Sequence, residues 1–171
     1  MLREHRILVV DDEEKVLDSL IRVFFDEPRV SVVTTADPKK ALQIASTEDI
    51  DLVVTDQQMP GMTGVELLEN IMQARPDVIT IVLTGYSDVD VILKAINDIG
   101  VYKFILKPWR NEDLYWTVIR ALETKEVVED RNRLQMELKK RDSCLNNLEN
   151  QHPGITKVKR DRSGAVIIDE L

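Results

Sequence analysis

The sequence has few of the features that secreted or membrane proteins need. Its single cysteine, Cys144, cannot form a disulfide within the chain, which is typical of a reducing compartment. No apolar stretch approaches the roughly 20 residues that cross a bilayer. Charge follows the first apolar run at once in "MLREHRILVVDDEEK", unlike a signal peptide. The formal net charge of −8 disfavours a surface for nucleic acids or membranes, which would be basic. We therefore expect a cytoplasmic protein that contacts neither.

Short apolar runs alternate with helical patterns between residues 7 and 123. The runs are "ILVV", "VSVVTT", "DLVVT", "TIVLT" and "YKFIL", and strands that are buried on both faces have this composition. The intervening segments have helical spacing, and the first of them places on one face Val16, Leu17, Leu20, Ile21 and Phe24. Five strands that alternate with helices predict an α/β fold with a doubly wound parallel sheet. The strand order 2-1-3-4-5 would make strands 1 and 3 neighbours.

Glycine and proline are absent from residue 109 to residue 152, which permits one long helix. Its later part has apolar residues at heptad spacing, with arginine at two seam positions: Val127, Arg131, Leu134, Leu138, Arg141, Leu145 and Leu148. This pattern favours a homodimeric coiled coil, and a solvated helix that folds back on its own domain is the alternative. "ITKVKRDRSGAVIID" then indicates a short β-hairpin. We expect a domain over 1–123, a helical extension over 124–152 and a tail over 153–171.

Polar residues follow the predicted strands at the points where those strands end. Asp11 and Asp12 follow the first strand, and Asp56, Thr84 and Lys107 come at the ends of the third, fourth and fifth. Any one of them alone would be read as a helix cap, a turn residue or a surface charge. The carboxyl ends of parallel strands share one edge, however, where open α/β sheets bind ligands. Three carboxylates in one volume repel each other unless a hard cation lies among them, and oxygen ligands suit Mg²⁺.

Four segments resemble the signature motifs of bacterial response-regulator receiver domains. They are "ILVVDDE", "LVVTDQQMPGMTGVELL", "IVLTGYSD" and "FILKPW", in the order and at the spacing of that family. The resemblance covers roughly residues 5 to 123 and implies the flavodoxin-like fold. It also implies a signalling domain that is not an enzyme in its own right. Such a domain catalyses only its own phosphorylation and a slow loss of the phosphoryl group.

The resemblance assigns a role to each residue that matches a motif. It implies that Asp56 is the phosphoacceptor and that Mg²⁺ is bound by Asp11, Asp12, Asp56 and the backbone carbonyl of Gln58. Thr84 and Lys107 would contact the phosphoryl group, and Phe104 would be the aromatic switch residue. Access of water would be controlled by Gly85, Tyr86 and Gln58. The Lys107–Pro108 bond is typically cis in the family.

The resemblance also implies a sensor histidine kinase or phosphotransfer protein as partner. The residues after "KP", Trp109 and Arg110, resemble those at the same place in regulators whose receiver is joined to an HD-type phosphohydrolase, an AAA+ activator or a kinase module. Two outputs therefore stay open, namely signalling through dimer geometry or partner binding, and a missing effector domain of a longer regulator. A haloacid-dehalogenase-type phosphatase is a further alternative. Its nucleophile would follow the first strand in an Asp-x-Asp arrangement, whereas that strand ends here in "DDEEK".

Overall fold

A computed structural model of the chain describes residues 3–85 and 99–153. It divides into two compact units, Met1–Lys125 and Glu126–Leu171. The predicted hairpin in the tail and the position of Tyr86 lie outside the described residues. The predicted domain boundaries at residues 123 and 152 stay predictions.

The first unit is built on a five-stranded parallel sheet of order β2-β1-β3-β4-β5. The strands are β1 (His5–Val10), β2 (Val30–Thr35), β3 (Leu52–Asp56), β4 (Ile79–Thr84) and β5 (Lys103–Leu106). The predicted fold class and strand order are confirmed. In the register, Val10 pairs with Thr55 and Thr84 pairs with Leu106, so the strands end close to one another at the carboxyl edge.

Four helices lie in the described residues: α1 (Glu14–Phe24), α2 (Pro38–Thr47), α3 (Gly64–Ala74) and α4 (Asn111–Gln151). The single long C-terminal helix is confirmed, because α4 continues for 41 residues. None of the helices in residues 3–85 and 99–153 combines the length and the apolarity that a membrane span requires.

The core has one cluster on each face of the sheet. Ala41, Leu67 and Ile71 from α2 and α3 pack in one cluster, and Leu20 from α1 and Val118 from α4 pack in the other. This arrangement explains the near-continuous apolar composition of the three central strands. All five strands were predicted to be buried on both faces, and this is wrong for the two edge strands, because β2 and β5 are mostly half-buried. An edge strand has a neighbour on only one side, so part of its surface reaches solvent.

The amino edge of the same sheet holds a buried polar cluster that the sequence analysis did not identify. The Asp51 carboxylate lies 2.9 Å from Lys125 Nζ, 3.3 Å from His5 Nδ1 and 3.3 Å from the Arg3 guanidinium. It also accepts a hydrogen bond from the backbone N–H of Arg6 at 3.2 Å. Asp51, Lys125 and His5 are all buried. This carboxylate therefore joins β1, the start of β3 and the helix α4.

The described part of the second unit is the portion of α4 after Lys125. Its large apolar side chains are exposed, with Val127 at 69%, Leu134 at 56% and Leu148 at 39%. Cys144 is also exposed. Arg133 forms an ion pair with Asp130 one turn earlier at 3.0 Å. Within residues 126–151 the heptad positions thus present apolar side chains that could pack against another helix.

Candidate functional site

Three aspartates meet at the carboxyl edge of the sheet. Asp11 and Asp12 follow β1, and Asp56 is the last residue of β3, the strand beside it. One carboxylate oxygen from each of the three lies within 4.8 Å of the others. Asp11 and Asp56 are buried, whereas Asp12 is exposed. The structure therefore brings together the three carboxylates that the strand ends indicated.

Lys107 reaches this cluster from the end of β5. Its Nζ atom lies 2.7 Å from Asp56 Oδ1 and 3.3 Å from Asp11 Oδ2. Burial alone would lower the pKa of Lys107, but the hydrogen bond to Asp56 and the charges of Asp11 and Asp56 raise it above its usual range. Lys107 is therefore a cation at neutral pH. The peptide bond between Lys107 and Pro108 is cis.

Asp11 is the most deeply buried of the three carboxylates. Burial raises the pKa of Asp11, and this effect outweighs the opposing hydrogen bond from the backbone N–H of Glu13 and the charge of Lys107. The nearby charge of Asp56 raises the pKa further. The Lys107 ammonium pairs with Asp56 and Asp11, and with Asp12 beside them the site has an excess of negative charge that a cation would neutralise.

The residues present fit a magnesium ion. All the donor atoms at the cluster are oxygens, which is the ligand type that Mg²⁺ prefers. The cluster opens into a cleft of about 260 Å³ that is lined by Asp12, Glu13, Asp56, Gln57, Gln58, Gly85 and Lys107. Such a cleft leaves room for the waters that Mg²⁺ usually keeps. An acidic cluster of this kind, made by Asp11, Asp12 and Asp56, is typical of the magnesium site of receiver domains.

The remaining predicted residues lie around the cleft or behind it. Thr84 ends β4 with a fully buried side chain, and its hydroxyl donates to the Gly85 carbonyl at 3.2 Å. The backbone N–H of Gln58 donates to Asp56 Oδ2 at 3.2 Å. Phe104 is half-buried in β5 and packs on the core cluster that includes Val82, its partner in the register. Since side chains alternate along a strand, Thr84 and Phe104 lie on the same face of the sheet.

Two further residues at the site were missed by the sequence analysis. Gln57 is buried beside Asp56, and its side chain accepts a hydrogen bond from the N–H of Val65 in α3 at 3.1 Å. Gly64, the first residue of α3, abuts the backbone carbonyl of Asp56 so closely that a Cβ atom would overlap it. The absence of a side chain at Gly64, eight positions after Asp56, was the sequence signal for this close contact. For Gln57 there was no such signal, because no sequence pattern predicts that a glutamine directly after a strand will accept a hydrogen bond from the first turn of the next helix.

Comparison with known proteins identifies relatives of this arrangement. The family described as the response regulator receiver domain matches residues 7–119. The hydrogenase transcriptional regulatory protein HoxA of Cupriavidus necator is 38% identical over 137 residues, which cover 80% of this chain and 28% of HoxA. The C4-dicarboxylate transport transcriptional regulatory protein DctD of Pseudomonas aeruginosa is 30% identical over 94% of this chain and 34% of DctD.

A solved structure has the same fold over nearly its whole length. The signal receiver domain of an HD domain-containing protein from Pseudomonas fluorescens is 33% identical to this chain, with a TM-score of 0.70. The match covers 77% of this chain and 96% of that domain. By contrast, the chain spans only 28% and 34% of the length of HoxA and DctD. The matched stretches of 137 and 162 residues are longer than the receiver match at residues 7–119, so the similarity to both proteins continues beyond the receiver.

Proposed function

Because the chain belongs to the response regulator receiver domain family of two-component signalling, we propose that Asp56 is its phosphoacceptor. A sensor histidine kinase or a phosphotransfer protein would supply the phosphoryl group in a Mg²⁺-dependent reaction. The cytoplasm, where such donors present their phosphohistidine, is the proposed compartment. The observation that carries the proposal is the excess of carboxylate at one edge of the sheet, with Lys107 Nζ 2.7 Å from Asp56 Oδ1.

Phosphoryl transfer needs alignment and charge neutralisation more than a strong nucleophile. Asp56 Oδ2 accepts from the N–H of Gln58, and Oδ1 is paired with Lys107, so the acceptor carboxylate is held in one orientation. Asp11, Asp12, Asp56 and the Gln58 carbonyl are the proposed ligands of Mg²⁺. When bound, Mg²⁺ supplies positive charge that offsets the negative charge of the incoming phosphoryl oxygens. The Lys107 ammonium would contact one of those phosphoryl oxygens.

The conformational response is proposed to pass through Thr84 and Phe104. The Thr84 hydroxyl bonds to the Gly85 carbonyl, and a phosphoryl group on Asp56 would offer it a stronger, charged acceptor. Movement of Thr84 toward that group would free space on the shared face of the sheet. Phe104, which is only half-buried, would then rotate inward. The change at Asp56 would thus become a change at the surface of β5.

The lifetime of the acyl phosphate is proposed to depend on the residues that flank the path of water. Gln58 and Gly85 line the cleft, and Tyr86 follows Gly85 in the sequence. Neither Gln58 nor Tyr86 is a carboxylate that could orient an attacking water. We therefore expect slow hydrolysis of the phosphoryl group.

Replacement of Asp56 by asparagine tests the assignment. The wild type, treated with acetyl phosphate and Mg²⁺, should gain one phosphoryl group by intact-mass measurement, and Asp56→Asn should gain none. Asp18→Asn is the matched control, because Asp18 is an exposed aspartate of α1. Equal uptake by Asp56→Asn and the wild type would refute the proposal.

The long helix provides the proposed partner surface of a homodimer. Apolar residues at heptad spacing are exposed after Lys125, and arginine at two seam positions should make the association weak unless each charge is paired. Sedimentation of the wild type should show a concentration-dependent dimer, and the double variant Arg131→Leu/Arg141→Leu should associate more tightly. A wild type that stays monomeric at high concentration, unchanged by deletion of residues 124–171, would rule out the dimer.

A second candidate function is that of the receiver portion of a longer regulator. It is favoured by the relatives, since HoxA and DctD are transcriptional regulatory proteins of which the matching segments cover 28% and 34%. Under this proposal an effector domain, such as an HD-type phosphohydrolase, an AAA+ activator or a kinase module, would follow the receiver in the same polypeptide. The sequence of the complete open reading frame tests it. A stop codon directly after Leu171 would favour signalling through the helix instead.

A further inference from the structure

Gln57 directly follows the proposed phosphoacceptor and is buried although its side chain is polar. Three hydrogen bonds hold it. Its N–H donates to the Leu83 carbonyl in β4 at 2.9 Å, its own carbonyl accepts from the N–H of Gly64 at 3.0 Å, and its side-chain Oε1 accepts from the N–H of Val65 at 3.1 Å. Gln57 therefore links the end of β3 to β4 on one side and to the first turn of α3 on the other.

The first four N–H groups of a helix lack partners within the helix, and in α3 Gln57 satisfies two of them. A capping box between Thr63, the residue before the helix, and Glu66 satisfies the other two: the Thr63 side chain accepts from the N–H of Glu66 at 3.2 Å, and the Glu66 carboxylate accepts from the N–H of Thr63 at 2.9 Å. The Thr63 bonds join neighbours within the same turn. The Gln57 bonds instead cross from the phosphoacceptor strand to the helix.

These hydrogen bonds of Gln57 also hold the loop that contains Gln58. The loop leaves β3 at Gln57 and returns at Gly64, whose Cα lies directly against the Asp56 carbonyl. The N–H of Gln58 orients the Asp56 carboxylate, and its carbonyl is a proposed metal ligand. A change in the position of Gln57 would therefore displace both groups of Gln58.

We propose that Gln57 is a positioning residue for the magnesium-dependent reaction at Asp56. Its side-chain oxygen ties α3 to the residue beside the acceptor and so fixes the backbone of Gln58. The inference rests on the proposed function for the identity of the reaction, but the hydrogen bond itself does not depend on that function. Residues that orient metal ligands from outside the coordination sphere typically change metal affinity by about 10- to 100-fold when they are replaced.

Two substitutions at position 57 and one control separate positioning from simple helix capping. Gln57→Met keeps the size of the side chain and removes the acceptor, whereas Gln57→Glu keeps an oxygen that can accept from Val65. Thr63→Ala removes the other side-chain cap of α3 and leaves the link to β3 intact. Mg²⁺ affinity is measured by titration calorimetry, and exchange of the Val65 amide hydrogen by NMR without Mg²⁺.

Gln57→Met should lose about tenfold or more in Mg²⁺ affinity and should exchange the Val65 amide faster than the wild type. Gln57→Glu should retain protection of that amide and bind Mg²⁺ more tightly than Gln57→Met. Thr63→Ala should destabilise α3 without loss of Mg²⁺ affinity. Wild-type affinity in Gln57→Met, or an equal loss in Thr63→Ala, would overturn the inference. If the wild type gains no phosphoryl group, the proposed function fails, while the exchange comparison still decides whether Gln57 makes the link.

Discussion

A buried aspartate lies at each end of β3, Asp51 directly before the strand and Asp56 as its last residue, and the two differ in what surrounds them. At the carboxyl end, Asp56 lies with the carboxylates of Asp11 and Asp12, and Lys107 pairs with Asp56 and Asp11. At the amino end, Asp51 stands alone among the basic side chains of Lys125, Arg3 and His5. The first group has an excess of negative charge and opens into a cleft. The second has its charge neutralised by the protein itself.

The pKa values of Asp11 and Asp51 follow this difference. Burial raises the pKa of Asp11 at the carboxyl edge, because one lysine does not compensate for burial and for the neighbouring Asp56. Burial would also raise the pKa of Asp51, but the hydrogen bond and charge of Lys125 lower it overall. A buried aspartate beside a lysine is thus not in itself a functional site. An uncompensated group of carboxylates is the feature that calls for a ligand.

Removal of Lys125 should have the largest effect on stability. Lys125→Met would leave the Asp51 carboxylate buried with its nearest cation gone, and breaking a buried ion pair in this way costs about 3 kcal/mol of unfolding free energy. Urea denaturation of the variant and the wild type measures the loss. Lys40→Met, at an exposed position of α2, should change stability by less than about 0.5 kcal/mol. Equal stability of the Lys125 and Lys40 variants would mean that the amino edge does not depend on the pair.

Magnesium should stabilise the carboxyl edge by the next largest amount. At a concentration of one hundred times its dissociation constant, a ligand that binds only the folded state contributes about 2.7 kcal/mol. Denaturation with and without MgCl₂, at constant ionic strength, should show this gain in the wild type. Asp12→Ala, which removes a charged ligand from a site with few of them, should abolish most of it. Lys125→Met should retain the full gain, because Mg²⁺ acts at the other edge.

The sequence was sufficient to predict the features that repeat along the chain. Alternation of apolar runs and helical patterns predicted the parallel sheet, and strand ends in a parallel sheet must share an edge. For that reason the positions of the strand ends were enough to predict that Asp11, Asp56 and Lys107 lie together. Their roles as phosphoacceptor, ligand and cation came from the resemblance and stay proposals.

The features that were not predicted depend on single contacts between distant residues. Lys125 meets Asp51 across 74 positions of the chain, and no periodicity in either segment indicates that pairing. Lys125 also lies in a charged stretch of α4, where a lysine is usually solvated. Gln57 was likewise missed, because its partner is a backbone N–H, and every residue other than proline has one. The fold is encoded in patterns, whereas these supporting contacts follow only from the packed structure.

The pH dependence of stability should sharpen the contrast at Asp51. The pKa of Asp51 is lower in the folded state than its ordinary value of 3.8, so the folded state favours the carboxylate. This contribution is complete above the ordinary value and is lost as the pH falls through the lower value of the folded state. The stability difference between the wild type and Asp51→Asn should therefore be large at pH 7 and shrink below about pH 4. A difference that stays constant down to unfolding would show that the charge of Asp51 contributes nothing.

Replacement of Arg3 should have the smallest effect. Its guanidinium lies 3.3 Å from Asp51, but 42% of its side chain is exposed, so water screens the pair and could replace the arginine. Arg3→Gln should therefore cost less than about 1 kcal/mol, well below the loss in Lys125→Met. Because neighbouring charges couple, the double variant should lose more than the sum of the two single variants. The loss of Arg3 should cost more stability when Lys125 is already absent, because Asp51 then has neither cation beside it. Urea denaturation of the two single variants and the double variant measures the coupling. Strict additivity would mean that Arg3 and Lys125 act independently, and the amino edge would then not be a single neutralised cluster.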